Sequence, residues 1–210
     1  MKEIGKLILV LTLICLAAAA ALSQIEKLTR EPIAQALREE KLKAIRKVLP
    51  EYDNEPDKES VSIVVGKDDS GKDIEKEYYI AKKGGDLVGV AFEGSSSEGY
   101  GGEIAVMIGV DKEDTINGIE IIKHAETPGL GSKITESVFL SIFKGRTLEN
   151  TKWAVKKDGG DIDQITGATI SPRAVVYAVD KELKRFSEHR EEILEMVKMK
   201  KRDEGAPSSE

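Results

Sequence analysis

A chain of 210 residues, one third of them charged and only 5% aromatic, is long enough for one well-cored domain with appendages, and it offers few stacking platforms. Of its net charge of −6, residues 1–25 carry +1, which leaves −7 on the rest; a body this acidic lacks the basic footprint that nucleic acid requires. The single cysteine, Cys15, excludes an internal disulfide and a cysteine-ligated iron–sulfur cluster, and two histidines, His124 and His189, do not supply a multi-histidine zinc site, so redox chemistry here needs an organic cofactor and no metal.

Leu7 to Leu22 is a run of sixteen residues, apolar except for Thr12, and Ile4 and Ile25 extend it toward the roughly 20 residues of a membrane span. Met1–Lys6 followed by this run and by Ala17–Ala21 also fits a cleavable signal peptide, and both readings stand. Ile14 before Cys15 argues against a lipoprotein. Lys2 and Lys6 are outnumbered beyond the run by Lys27, Arg30, Arg38, Lys41, Lys43, Arg46 and Lys47, so the positive-inside rule, counted naively, puts the body in the cytoplasm. Long domains, however, translocate largely regardless of charge.

Ile25, Leu28, Ile33, Leu37, Leu42, Ile45, Val48 and Leu49 recur at helical spacing, with Pro32 expected to kink this helix or to open a second one. Pro50–Glu59 reads as a polar linker. Strands are predicted at Val61–Val65, Tyr78–Ala81, Leu87–Phe92, Ile104–Val110 and Ile116–Ile122; Ile104, Val106, Ile108 and Val110 alternate as in a half-buried strand. A helix from about Lys133 to Phe143 places Ile134, Val138, Phe139, Ile142 and Phe143 on one side, and Trp153–Val155 reads as strand with Trp153 in the core. The last helix, Pro172 to about Lys201, buries Val175, Val176, Val179, Leu183 and Phe186, ahead of a disordered tail over Gly205–Glu210. The order implies an α+β fold: a transmembrane helix (1–25), an amphipathic helix and linker (26–59), one domain of mainly antiparallel strands with flanking helices (60–202) and a tail (203–210).

Before the last helix lies Thr166-Gly167-Ala168-Thr169-Ile170-Ser171-Pro172. A small-residue turn delivering hydroxyls to a helix start suits a phosphate, which the first amides and the macrodipole attract; Ser171 reads as N-cap and Pro172 as the first helical residue. Alone, such a threonine reads first as a plain cap or turn. A second loop, Glu126-Thr127-Pro128-Gly129-Leu130-Gly131, is a Pro-Gly turn leading into a helix, and a third, Gly99-Tyr100-Gly101-Gly102, precedes a strand; there Tyr100 reads as packing on its sheet, with stacking near a ligand ring as the alternative. Thr169 or Ser171 with His124 and Asp161 or Asp163 makes a poor hydrolase, because no nucleophile elbow is present, and no catalytic residue is assigned.

Together these three segments resemble, in order, the motifs of the covalent FMN-binding domain family, most closely as it occurs in the G subunits of Rnf-type ion-translocating ferredoxin:NAD+ oxidoreductases. Thr166 stands where that family more often has serine. The resemblance implies FMN joined by a phosphodiester to Thr169, with Thr166, Gly167 and Ala168 around the phosphate and Glu126, Thr127, Gly129, Leu130 and Gly131 lining the ring or its chain. It further implies a retained single-pass helix in the cell membrane, the N-terminus inside and the FMN domain outside. Other membrane and peripheral Rnf subunits would be its partners, and a flavin transferase reading the loop with Asp161 and Asp163 would mature it. The chain would then be an electron-carrying subunit of a translocase, with no substrate turnover of its own. A membrane-tethered scaffold without redox chemistry and a stand-alone extracytoplasmic FMN carrier are the alternatives.

Overall fold

The computed structural model describes residues 2–67 and 70–204; the predicted tail over 205–210 lies outside the described residues. It separates into two units, residues 1–40 and 41–210. The first belongs to α1, a single helix over Lys2–Val48 that is long and apolar enough to cross a membrane, its Leu7, Leu9, Leu13 and Leu22 side chains exposed. Contrary to expectation α1 neither breaks at residue 25 nor restarts at Pro32; a proline removes one helical N–H, and the surrounding good helix formers, such as Ala34, Gln35 and Leu37, carry the helix across it.

In the second unit five strands form one antiparallel meander in the order β1-β2-β3-β4-β5: Val61–Lys67, Asp73–Lys83, Asp86–Gly99, Gly102–Asp111 and Ile116–Lys123. Alternate side chains (Tyr78, Ile80, Val90, Phe92, Val106 and Ile108) face α3, Ile170–Glu204, whose Val175, Val176, Val179, Leu183 and Phe186 are buried as its periodicity predicts. Phe186 stacks on Phe92 with centroids 5.0 Å apart. Burying each such side chain contributes about 1.5–3 kcal/mol, so this interface dominates the core.

β4 is not half-buried: every residue from Ile104 to Val110 is covered. The second face receives the end of α1, where Ala44, Ile45, Val48 and Leu49 pack on Tyr79, Ala81, Ala91 and Met107. The approach is close because Gly109 has no side chain; a Cβ there would stand 2.3 Å from the Val48 carbonyl oxygen. That carbonyl accepts the Asn117 amide at 2.8 Å, so β5 caps α1. Residues 50–59 are likewise no free linker: Asn54 bonds the backbone of Ile80 and Lys82, and Pro56 is buried.

Two other expectations fail locally. The predicted helix over 133–143 is three short pieces, 3₁₀ turns at Gly131–Thr135 and Ser141–Phe143 around α2, Ser137–Leu140. Ile134, Phe139 and Phe143 are buried, whereas Val138 is 76% exposed. Trp153–Val155 forms no strand; Val155 makes one isolated bridge to Ile162, and Trp153 lies half-buried against Phe143.

Candidate flavin site

Three loops converge at the N-terminus of α3. The turn over Ile165–Ala168 closes with the Ala168 amide on the Ile165 carbonyl at 3.1 Å and holds Gly167 at φ +83°, a conformation that favours glycine. Toward the rest of the protein a Cβ there would meet only Leu130, at 3.7 Å across the cleft. The helix then begins two residues earlier than expected. Thr169, not Ser171, is its cap, because the Arg173 amide bonds the Thr169 carbonyl at 3.2 Å. Pro172 falls inside the first turn, where a missing N–H has no helical acceptor to lose.

Ser171 instead turns inward. It is 1% exposed, and its hydroxyl donates to the Glu126 carboxylate, itself 4% exposed. The other Glu126 oxygen accepts the Gly101 amide at 3.0 Å. One carboxylate thus ties the β3–β4 hairpin tip to the first turn of α3. Its neighbours are glycines by necessity: a Cβ on Gly131 would lie 2.4 Å, and one on Gly99 2.7 Å, from a Glu126 oxygen. His124 accepts the Glu126 amide on Nδ1 at 3.2 Å, which occupies the nitrogen a hydrolase arrangement needs. Asp161 and Asp163 are engaged elsewhere, on the Lys152 amide at 2.6 Å and on Lys156 at 2.7 Å.

The converging loops enclose a cleft of about 380 Å³, within the range of small-molecule sites. Glu126, Thr127, Leu130 and Gly131 line it from one side of the sequence, and Gly167, Ala168 and Thr169 from the other. Thr166 and Gly129 lie beside these segments without lining the cleft. Ile170, Ser171 and Tyr100 also line it; for Tyr100 stacking near a ring is the alternative reading of the sequence, and the other two are not expected as flavin ligands. For Tyr100 the expectation was wrong, since the ring is 71% exposed rather than packed on its sheet.

The donors suit a phosphorylated aromatic ligand. The amides of Thr169, Ile170 and Ser171 precede the first helical acceptor, and buried Gly131 has an amide that meets no acceptor among the described residues. Leu130 and Ile170, 49% and 45% exposed, offer apolar surface beside these donors. Across α3 the Arg173 guanidinium grips Asp158 through two bonds of 2.5 Å and holds that carboxyl below its ordinary range.

The FMN-binding domain model matches residues 99–184, which contain every residue lining the cleft. The G subunit of the ion-translocating oxidoreductase complex of Aliivibrio fischeri is 39% identical over 192 residues, covering 88% of this chain and 91% of that one. The chain belongs to the family of G subunits of ion-translocating oxidoreductase complexes. The Pseudomonas aeruginosa member is 37% identical over 193 residues, 89% of this chain and 90% of its own. As a member, the chain is part of an oxidoreductase and carries an FMN-binding domain behind one apolar helix. The C subunit of the sodium-translocating NADH-quinone reductase from Parabacteroides distasonis shares the fold, with a TM-score of 0.50, 21% identity and coverage of 68% of this chain and 78% of that one.

Proposed function

We propose that this member of the G-subunit family relays electrons within an Rnf-type ferredoxin:NAD+ oxidoreductase through FMN esterified to Thr169, and that this relay is coupled to ion translocation across the membrane. FMN, when bound, supplies a ring that takes up and releases electrons one at a time, which lets it join donors and acceptors of different stoichiometry. The chain's own residues hold it. Thr169 provides the ester oxygen; the amides of Ile170 and Ser171, with the positive end of the α3 dipole, neutralise the phosphate. Gly167 shapes the turn that presents Thr169, with Thr166 and Ala168 on either side of it. Thr127, Leu130 and Gly131 line the ring or ribityl chain, with Gly129 giving the loop its turn, and Gly131 contributes its amide. Glu126 keeps the two loops in register.

The observation that carries this reading is that segments 45 residues apart in sequence, tied by the Ser171–Glu126 bond, face one cleft at a helix N-terminus. A covalent tether makes the cofactor's effective concentration independent of its supply, which suits a domain outside the cytoplasm. The N-terminal segment is accordingly a retained single-pass anchor with its short end inside. The exposed turn at Thr166–Thr169 and the loop carrying Asp161 and Asp163 are what a flavin transferase would engage, and the remaining subunits of the complex are the electron partners.

The test is co-expression with a flavin transferase and ultraviolet imaging of a denaturing gel. The wild-type band fluoresces; Thr169→Ala, which removes one hydroxyl from a half-buried position, accumulates to the same level and is dark. Fluorescence in the Thr169→Ala band refutes the assignment.

A further inference from the structure

Tyr100 is the most exposed aromatic residue of the domain and it lies in the lining of the cleft. Between residues 41 and 204 the described chain exposes seven large apolar side chains, and three of them, Tyr100, Leu130 and Ile170, line this one cleft. Single exposed apolar residues are ordinary, but a convergence of three at the mouth of a cleft marks a surface kept for a ligand.

The backbone around Tyr100 is fixed while its ring is not covered. Gly101 donates to Glu126 at 3.0 Å and sits so close to the chain that a Cβ would stand 1.9 Å from the Ala125 carbonyl oxygen. Gly99 faces the Gly102 carbonyl, with a Cβ reaching 2.3 Å. Gly99 and Gly101 therefore bring the hairpin tip against the strand exit at 125–126. The same carboxylate that grips Gly101 grips Ser171, two residues beyond the attachment threonine. The separation between the Tyr100 backbone and the helix start is thus set by one buried side chain, and an aromatic ring held at a set distance from a phosphate site is what a ring-and-phosphate ligand requires.

We infer that Tyr100 is a ring-contacting residue of the flavin site, packing its phenol on the isoalloxazine while Glu126 acts as the positioning residue that sets its distance from Thr169. This inference rests on the proposed function and extends it to a residue to which that reading gives no contact with the flavin. A phenol in contact with a flavin quenches its emission, and an ordered ring in an asymmetric pocket has a visible circular dichroism signal.

The experiment uses full-length, covalently loaded protein in detergent, as wild type, Tyr100→Leu and Tyr100→Phe, with loading measured by intact mass. Emission per bound flavin is compared in the native state and after unfolding in guanidinium. Wild type should gain emission several-fold on unfolding. Tyr100→Leu should already be bright when native, with a reduced visible dichroism; Tyr100→Phe, which keeps the ring and loses the electron-rich phenol, should be bright but keep its dichroism. Equal native emission and dichroism in all three loaded proteins overturns the role of Tyr100 and leaves the attachment at Thr169 standing. A wild type that carries no flavin overturns both.

Discussion

Truncating Glu126 strands two donors at once, the part-buried Gly101 amide and the buried Ser171 hydroxyl. Each unsatisfied buried group costs about 1–3 kcal/mol, so Glu126→Ala should lose about 3 kcal/mol in urea titration, whereas Glu126→Gln, which keeps an acceptor, should lose less than half of that. A change below about 0.5 kcal/mol for the alanine variant is what a surface residue gives and contradicts the clamp. Two glycines of one loop separate clearance from strain. Gly131→Ala puts a methyl 2.4 Å from Glu126 and 2.7 Å from Ser171 and should abolish flavin loading; Gly129→Ala meets open space at φ +75° and should cost about 1 kcal/mol while loading normally. In-gel fluorescence beside thermal melts checks the pair. That Thr169, Leu130 and Gly131 lie in loops at helix starts was legible, because small-residue turns mark themselves locally, and all three line the cleft. Glu126 as a clamp and Ser171 as its partner were not, since a carboxylate after a strand reads as solvated until a hydroxyl 45 residues away closes over it.

Strand identities were readable from alternation, and α3 from its apolar stripe, because each pattern repeats over several turns or residues. Short elements failed for a physical reason: extended backbone at Glu136, φ −74° and ψ 142°, breaks the segment after Leu130 into 3₁₀ turns around a single α-helical turn and leaves Val138 exposed. The burial of β4 on both faces depends on the end of α1, a partner more than 50 residues upstream, which no local period reports. Gly109→Ala should wedge that helix end off the sheet and lower stability by about 2 kcal/mol in the same titration; an unchanged midpoint contradicts the docking. The Asp158–Arg173 pair joins the loop before the threonine turn to α3. Because the Asp158 pKa is lowered, chiefly by its hydrogen bond to Arg173, its contribution is complete above the unfolded value of about 3.9 and disappears as pH falls through the still lower folded value. The stability gap between wild type and Asp158→Asn should therefore hold steady from neutral pH down to about 4 and close at more acidic pH. A gap that instead closes between pH 7 and 5 contradicts the assignment.

For the whole molecule, the order of anchor, meander and terminal helix follows from hydropathy and period, whereas the continuity of α1 through Pro32 and into the sheet does not. About 20 of the 47 residues of α1 suffice to cross a bilayer, and its apolar run at Leu7–Leu22 comes close to that length. The proposed topology makes the domain accessible from outside: protease added to intact spheroplasts should release a flavin-bearing fragment, and protection until lysis contradicts an external domain. The central claim is a bond on one oxygen. Trypsin acting at Lys157 and Arg173 yields the peptide Asp158–Arg173, which holds Thr166, Thr169 and Ser171 together. Tandem mass spectrometry of this peptide, from protein purified out of its native membrane, should find it heavier by one FMN less one water, with the added mass on Thr169. An unmodified peptide, or the mass on Thr166 or Ser171, contradicts the account.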